Sequence, residues 1–356
     1  MSTKTNLDNI QEIEKIDKQG MYGLIYGFPQ QLAEGTHLGH IADLNLENFA
    51  PENIILAGMG GSAIGGDLIR SYLVYELKTP FLVCRNYNLP KLVNDKSLVF
   101  VSSYSGNTEE TLSAYREAKA KKAKIIAITS GGILLDECRK DGFPFILIPT
   151  GFPPRAALGY SYAPIMVILS RLKLIEDKLK EFEKTINFLE EKRAEYSLER
   201  KAKGNPAKSL AIELYGKVPV IYSSADYFDA VGYRWKGQLC ENSKILAFNN
   251  YFPEFNHNEL VGWKVLDHIR DKLVVILLKD KGDHSRIQKR MKIVKDIIKK
   301  EKVKVLEIES QGENLLCRIF SLIQLGDFTS FYLAILNRVN PTPVKVIDYL
   351  KRKLAD

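Results

Sequence analysis

Histidine and cysteine are scarce in this chain, and the few present are scattered. Its 356 residues include five histidines, His37, His40, His257, His268 and His284, and four cysteines, Cys84, Cys138, Cys240 and Cys317. No two cysteines form a CxxC pair, which argues against a zinc site or a disulfide framework and suits a reducing compartment. His37 and His40 could share a helix face, but no acidic or thiol partner lies near them in sequence, so no metal is expected. No run reaches 18 apolar residues, and the polar opening 1–6 has no apolar stretch of the kind that begins a secretion signal. Neither export nor a membrane span is expected, and the chain reads as soluble and cytoplasmic. Positive charge exceeds negative, 51 Lys and Arg against 43 Asp and Glu. The surplus is concentrated in patterns such as 289–301, whose apolar residues recur at helical spacing, so the lysines read as a solvated helix face and no nucleic-acid partner is expected. A positive potential of this kind still steers an anionic substrate.

What is present is organised around the stretch 99–118, Val-Phe-Val-Ser-Ser-Tyr-Ser-Gly-Asn-Thr-Glu-Glu-Thr-Leu-Ser-Ala-Tyr-Arg-Glu-Ala. Residues 98–101 are apolar and suit a buried strand. Gly106 permits a left-handed turn, and Asn107 with Glu110 three residues later fits a capping box that opens a helix. Ser103, Ser105 and Thr108 therefore crowd a helix N-terminus, where unpaired N–H groups and the helix dipole favour an anion. The Lys of a Walker loop is missing, and Glu109 and Glu110 follow at once, so a phosphate monoester fits better than a triphosphate with magnesium. The plainer alternative is a capped βα turn built from ordinary turn residues.

The length suggests two domains. Residues 1–45 read as a polar helical segment that packs on the first domain, which spans 46–172. It opens with a strand from Asn53, a glycine-rich turn and a helix. The spacing from Gly58 is not GxGxxG, because its sixth residue is Ala63, so Gly60 and Gly61 read as a close backbone approach to a ligand with Ser62 as a polar contact. Strands at 81–85, 98–102, 125–129 and 145–148, with helices at 109–121 and 133–140, predict a doubly wound parallel α/β sheet. Such sheets bind ligands beyond the carboxyl ends of their strands, where the 60–62 and 103–108 turns would converge on one pocket. A proline-set loop carrying Arg155 follows, then an apolar helix at 163–172 and a charged connector, 173–204, read as a helix pair. The pattern restarts in a second α/β domain over 205–356. It has a helix at 207–214, a strand at 218–224, a helix near 230–242, strands at 244–248, 273–278 and 303–308, and a helix at 315–336. Residues 340–343 cap a final short helix ending at Lys351.

Two further residues invite chemistry. Glu241, at the end of a part-buried helix, is placed to act as a general base, against the common alternative of an exposed helix glutamate. His257, in an aromatic and polar loop, could move protons near neutral pH, or be a loop histidine bonded to backbone.

Taken in order, Gly-Met-Gly-Gly-Ser (58–62), Ser-Ser-Tyr-Ser-Gly-Asn-Thr-Glu-Glu-Thr (102–111), Pro-Arg-Ala-Ala-Leu-Gly-Tyr (154–160), Gln-Leu-Cys-Glu-Asn-Ser-Lys (238–244) and Asn-His-Asn-Glu (256–259) resemble the bifunctional phosphoglucose/phosphomannose isomerase family. The resemblance implies two sugar-isomerase (SIS) domains, no cofactor, and interconversion of fructose 6-phosphate with glucose 6-phosphate and mannose 6-phosphate in glycolysis and gluconeogenesis. It implies that Gly60, Gly61, Ser62, Ser103, Ser105 and Thr108 hold the phosphate, that Glu241 shuttles the proton and that Arg155 stabilises an enediolate. It further implies a homodimer in which His257 of one subunit assists ring opening in the site of the other. A C-terminal lysine matched by Lys351, with Lys345 as the other candidate, and a threonine matched by Thr342 or Thr329 complete the set. A SIS protein that binds a sugar phosphate without catalysis, and an isomerase of another sugar phosphate, share the hydroxyl loop.

Overall fold

The structure, a computed structural model, describes residues 6–44, 46 and 49–355; residues 1–5 of the polar opening lie outside these. The chain forms two compact units, residues 27–188 and residues 189–356 together with those up to 26. The opening helices α1 (Ile10–Ile16) and α2 (Met21–Tyr26) thus belong to the second unit, not the first as their sequence position suggested. Within it the Tyr22 and Tyr26 rings lie 6.0 and 6.5 Å from Phe328, and Lys208 Nζ lies 3.4 Å from Asp8. Helices of six or seven residues have too little periodic surface to announce their partner.

In the first unit α3 (Phe28–Ile41) is followed by β1 (Asn53–Gly58), α4 (Gly60–Tyr72), β2 (Phe81–Cys84), β3 (Ser97–Ser102), α5 (Glu109–Ala120), β4 (Lys124–Thr129), α6 (Gly132–Asp141) and β5 (Phe145–Leu147). A 3-10 turn (Pro154–Ala156), α7 (Leu158–Arg171) and the first part of α8 (Leu179–Glu195) complete it. The strands are all parallel in the order β2-β1-β3-β4-β5. Every residue of β1 and β3 is buried, as expected for apolar strands covered on both faces. α7 begins earlier than expected, at Leu158, because 158–160, read as part of the proline-set loop, lie inside the helix; all but its last two residues are buried. The connector is one helix, not two. After α8, Asn205 Nδ2 donates to the Ser197 carbonyl at 3.0 Å and Lys208 Nζ to that of Leu198 at 2.9 Å, taking up backbone groups that a second helix would have paired.

The second unit continues with α9 (Pro206–Leu214), β6 (Val218–Ser224), α10 (Asp229–Ser243), β7 (Phe248–Phe252), β8 (Leu273–Lys279), α11 (Ser285–Lys300), β9 (Lys304–Glu309), α12 (Leu315–Leu336) and α13 (Lys345–Ala355). Its strands are also parallel, in the order β7-β6-β8-β9. The strand expected at 244–248 instead starts at Phe248. Lys244 closes α10 in the left-handed conformation, φ +58°, and 244–247 form the exit from the helix. α11 turns Met291, Val294 and Ile298 inward, so its lysines form the outer face the pattern implied. α12, 22 residues long, is apolar enough by composition to cross a membrane, but 94% of its most apolar window is buried inside the protein as a core helix. α13 runs past Lys351 to Ala355.

Candidate active site

In the first sheet the strand order reverses between β1 and β3, and their paired ends, Gly58 against Ser102, open the crevice of a doubly wound fold. The turns after these two strands meet there. The Tyr104 backbone N–H donates to Ser62 Oγ at 3.2 Å, and Ser103 Oγ donates to Thr108 Oγ1 at 3.0 Å. Ser62 and Ser103 are buried, Thr108 is half-buried and Ser105 is exposed. Gly106 has φ +68°, and a Cβ there would fall on the Gly131 carbonyl, so only glycine fits the turn.

The expected capping box does not form. The residue before α5 is Thr108, whose side chain makes no capping bond, and Asn107 Oδ1 instead accepts from Ile133 N–H at 3.1 Å at the start of α6. Asn107 stands beside a second helix N-terminus that competes for its oxygen. One consequence is chemical: neither α4 nor α5 has a side chain capping its N-terminal N–H groups. Two uncapped helix starts bordered by Ser62, Ser103 and Thr108 have the donors and dipoles that favour an anion.

Arg155 comes to the same place by close packing. A Cβ on Gly61 would lie 2.5 Å from the Pro154 carbonyl carbon and 2.7 Å from Arg155 N, so the α4 start can lie against the 3-10 turn only because residue 61 is glycine. Arg155 is buried, and its backbone is held against the start of α4 beside Ser62. Sequence reasoning passed over Tyr104. Its hydroxyl donates to the Pro149 carbonyl at 2.9 Å and accepts from Phe152 N–H at 2.8 Å, in the loop leading to Arg155. Burial raises the pKa of this phenol, which keeps it a donor.

In the second unit the Gln-Leu-Cys-Glu-Asn-Ser run divides by helix face. Gln238 Nε2 donates to Asp327 at 2.7 Å, Asn242 Nδ2 to Ser330 Oγ at 3.0 Å and Ser243 Oγ to the Ser330 carbonyl at 2.6 Å, all toward α12. Cys240 and Glu241 instead line a cavity of about 780 Å³ with Asn340, Pro343, Val344 and Lys345. Lys244 Nζ bonds the carbonyls of Glu241 and of Pro341, the latter at 3.2 Å, tying the end of α10 to the 340–343 segment. Half-buried Thr342 lies in that segment, its N–H donating to Asn340 Oδ1 at 3.1 Å. Lys345 rather than Lys351 is among the cavity residues; Lys351 is exposed on α13. Thr329 is buried in α12 and donates to the Leu325 carbonyl at 2.7 Å, so its hydroxyl is already used by its own helix.

His257 ends a 3-10 turn (Glu254–His257) and is exposed. Its neighbours fix the turn. Glu259 accepts from the Tyr222 hydroxyl and from Asn250 Nδ2, Arg290 donates to Asn256 at 3.3 Å, and the Phe255 ring stacks on Tyr222 at 4.0 Å. The imidazole itself makes no hydrogen bond among the described residues and is presented outward.

The second sheet repeats the strand order of the first without its anion turn. Beyond β6 and β8, Ser224 Oγ donates to Asp283 at 2.5 Å and Arg318 Nε to Asp280 at 2.8 Å. Carboxylates stand at this crevice where the first unit has only hydroxyls and backbone groups bonded to one another, and burial raises the pKa of Asp283.

Two parallel α/β units, with one hydroxyl-lined anion site at the switch point of the first, define a phosphosugar-handling protein of the SIS class. The comparisons agree. A model of the SIS domain matches residues 49–134, and one of the bacterial phospho-glucose isomerase C-terminal SIS domain matches 203–354. The bifunctional phosphoglucose/phosphomannose isomerase of Caldicellulosiruptor bescii is 46% identical over 336 residues, 94% of this chain and 99% of the relative. The enzyme of that name from Aquifex aeolicus is 35% identical over 305 residues, 85% of this chain and 90% of the relative. Among solved structures, a hypothetical protein from Thermus thermophilus superposes with a TM-score of 0.72 at 15% identity, over 97% of this chain and 93% of that one, and so shares the fold. The chain belongs to the bifunctional phosphoglucose/phosphomannose isomerase family, and it is an isomerase.

Proposed function

We propose that this protein interconverts fructose 6-phosphate with glucose 6-phosphate and with mannose 6-phosphate through a shared cis-enediolate. The observation that carries the reading is the junction of Ser62, Ser103, Thr108 and the buried Arg155 turn in the first unit, which suits a phosphate. Moving a carbonyl from C2 to C1 needs one base to remove a weakly acidic proton and return it to the adjacent carbon. Glu241 takes that role, Arg155 balances charge on the enediolate oxygens, and Gly60, Gly61, Ser62, Ser103, Ser105 and Thr108 hold the phosphate. Both aldoses give the same enediolate once the C2 proton is gone, so they differ only in the face of C2 that is reprotonated. Formation of both aldoses requires the enediolate to rotate about C2–C3, and Thr342, in the segment beside the Glu241 cavity, is the threonine assigned to that end of the substrate.

On this reading the protein is a cytoplasmic homodimer with a shared active site, His257 of one subunit assisting ring opening in the other with the help of Lys351. It uses no cofactor, binds neither nucleic acid nor membrane, and serves glycolysis and gluconeogenesis. The outward presentation of His257 supports a role in another subunit's site. A coupled assay supplying fructose 6-phosphate and measuring the two aldose phosphates separately tests the activity. Formation of both is expected; glucose 6-phosphate alone, at high enzyme and long times, would reduce the protein to a simple glucose-phosphate isomerase.

A further inference from the structure

Residues 149–152 bend at Thr150 and Gly151, and the two ends of the bend are joined through a side chain. In an ordinary β-turn the first carbonyl accepts directly from the fourth N–H, and positive φ at the third residue calls for glycine. Gly151 has φ +92° at that third position. Yet the Pro149 carbonyl and the Phe152 N–H are each bonded to the Tyr104 hydroxyl, which stands between them at 2.9 and 2.8 Å. The phenol is a wedge that holds the turn open. Two residues beyond Phe152 the chain enters the 3-10 turn that carries Arg155, against which Gly61 is packed. The Phe152 ring is further braced edge-on against Tyr160 at 5.4 Å.

The backbone of the same residue serves the phosphate side. The Tyr104 N–H holds Ser62 Oγ, and its carbonyl accepts from both Ser130 N–H at 3.0 Å and Ser130 Oγ at 2.6 Å. None of these bonds involves the phenol. The residue therefore joins the two halves of the site through separable groups.

We propose that the Tyr104 hydroxyl is a positioning residue for Arg155: by keeping the 149–152 turn open it sets the guanidinium where the enediolate forms, while phosphate binding depends only on the Tyr104 backbone. The inference rests on the isomerase reading above. Without the hydroxyl, Pro149 and Phe152 bond each other directly and the arginine turn moves with them. Displacement of a charge-stabilising group acts on turnover much more than on ground-state binding.

The test uses the full-length protein with Tyr104→Phe, Arg155→Met and the double variant. Tyr104→Phe is expected to lower kcat roughly ten- to a hundredfold. KM for fructose 6-phosphate and competitive inhibition by inorganic phosphate should stay within about twofold of the parent. In the Arg155→Met background the same substitution should lower kcat by no more than about twofold, since there is no guanidinium left to misplace. Additive losses in the double variant, weakened phosphate inhibition, or an unchanged kcat would each overturn the proposal. Site-specific replacement of Tyr104 by p-aminophenylalanine keeps a donor in the turn and guards against a folding defect of the Phe variant. It should recover most of the lost turnover, and a loss as deep as that of Tyr104→Phe would count against the wedge. A readout independent of turnover is the crystal structure of Tyr104→Phe, in which the turn should close on itself; a loop that superposes on the parent overturns the idea. Lack of isomerase activity in the parent would sink the functional reading instead, and leave the crystallographic arm to judge the wedge.

Discussion

Ser103 Oγ donates to Thr108 Oγ1 across 3.0 Å, so two hydroxyls separated by five residues are coupled as one group at the start of α5. Removing the acceptor strands a buried donor and, on the proposed function, also deletes a phosphate contact. Hydrogen bonds to a charged partner contribute about 1.5–3 kcal/mol each. Ser105→Ala combined with Thr108→Val is therefore expected to raise KM for the sugar phosphate roughly ten- to a hundredfold, with a smaller fall in kcat. Steady-state kinetics with millimolar phosphate as competitor check this. Unchanged KM and no inhibition by phosphate in the parent would make the turn a helix junction only.

Glu241→Gln should lower kcat about a hundredfold or more, the scale of losing a positioned general base, with little change in KM. If His257 serves the neighbouring subunit, inactive Glu241→Gln and His257→Ala proteins should regain activity when mixed, because one site of each hybrid dimer holds both groups. No recovery after subunit exchange confirmed by native mass spectrometry would place both groups in one chain's site.

The α10–α12 contact that presents Glu241 centres on a buried ion pair, Arg234 Nη2 to Asp327 Oδ2 at 2.6 Å. Burial raises the Asp327 pKa, opposed by Arg234 and Gln238. Arg234→Met leaves that carboxylate facing a neutral side chain, and breaking such a pair costs about 3–5 kcal/mol. The sign of its pH dependence follows. With the cation gone the folded-state pKa rises further above the unfolded value, so stability is retained below the unfolded pKa and lost as pH rises through the folded one. Urea melts of parent and variant should diverge more at pH 8 than at pH 5; a gap that widens toward acid would contradict the assignment.

Cys240 lines the cavity with Glu241, whereas Cys138 is fully buried and its thiol is pushed up to about 11 by burial. Only thiolates alkylate rapidly. Iodoacetamide at pH 8 should therefore modify Cys240 and leave Cys138 intact, with loss of activity that fructose 6-phosphate slows. Peptide mass spectrometry reads the order, and Cys138 modified first in folded protein would refute it.

The alternation of strand and helix, the glycine at 106 and the hydroxyls around it were legible because each depends on residues close in sequence. Apolar runs such as 98–101 mark buried parallel strands, and a left-handed turn needs glycine whatever the rest of the chain does. Nearly every strand lay within a residue or two of its expected place. The exception, displaced from 244–248 to Phe248–Phe252, turned on Lys244 adopting φ +58°, a conformation no local preference of lysine foretells.

What only the tertiary structure decided is which distant groups each side chain meets. Asn107 and Glu110 satisfy the spacing of a capping box, yet Asn107 is drawn to α6 because folding brings a second set of unpaired N–H groups beside it. Residues up to Tyr26 join the second unit because the ring of Phe328, some 300 positions later, is what Tyr22 and Tyr26 pack against. Nothing in the local sequence singled out Tyr104, and its hydroxyl acquires partners only when the 149–152 segment is folded around it. Periodicity and turn chemistry are short-range properties written into neighbouring residues, whereas hydrogen bonds between residues tens or hundreds of positions apart exist only once burial has chosen which surfaces meet.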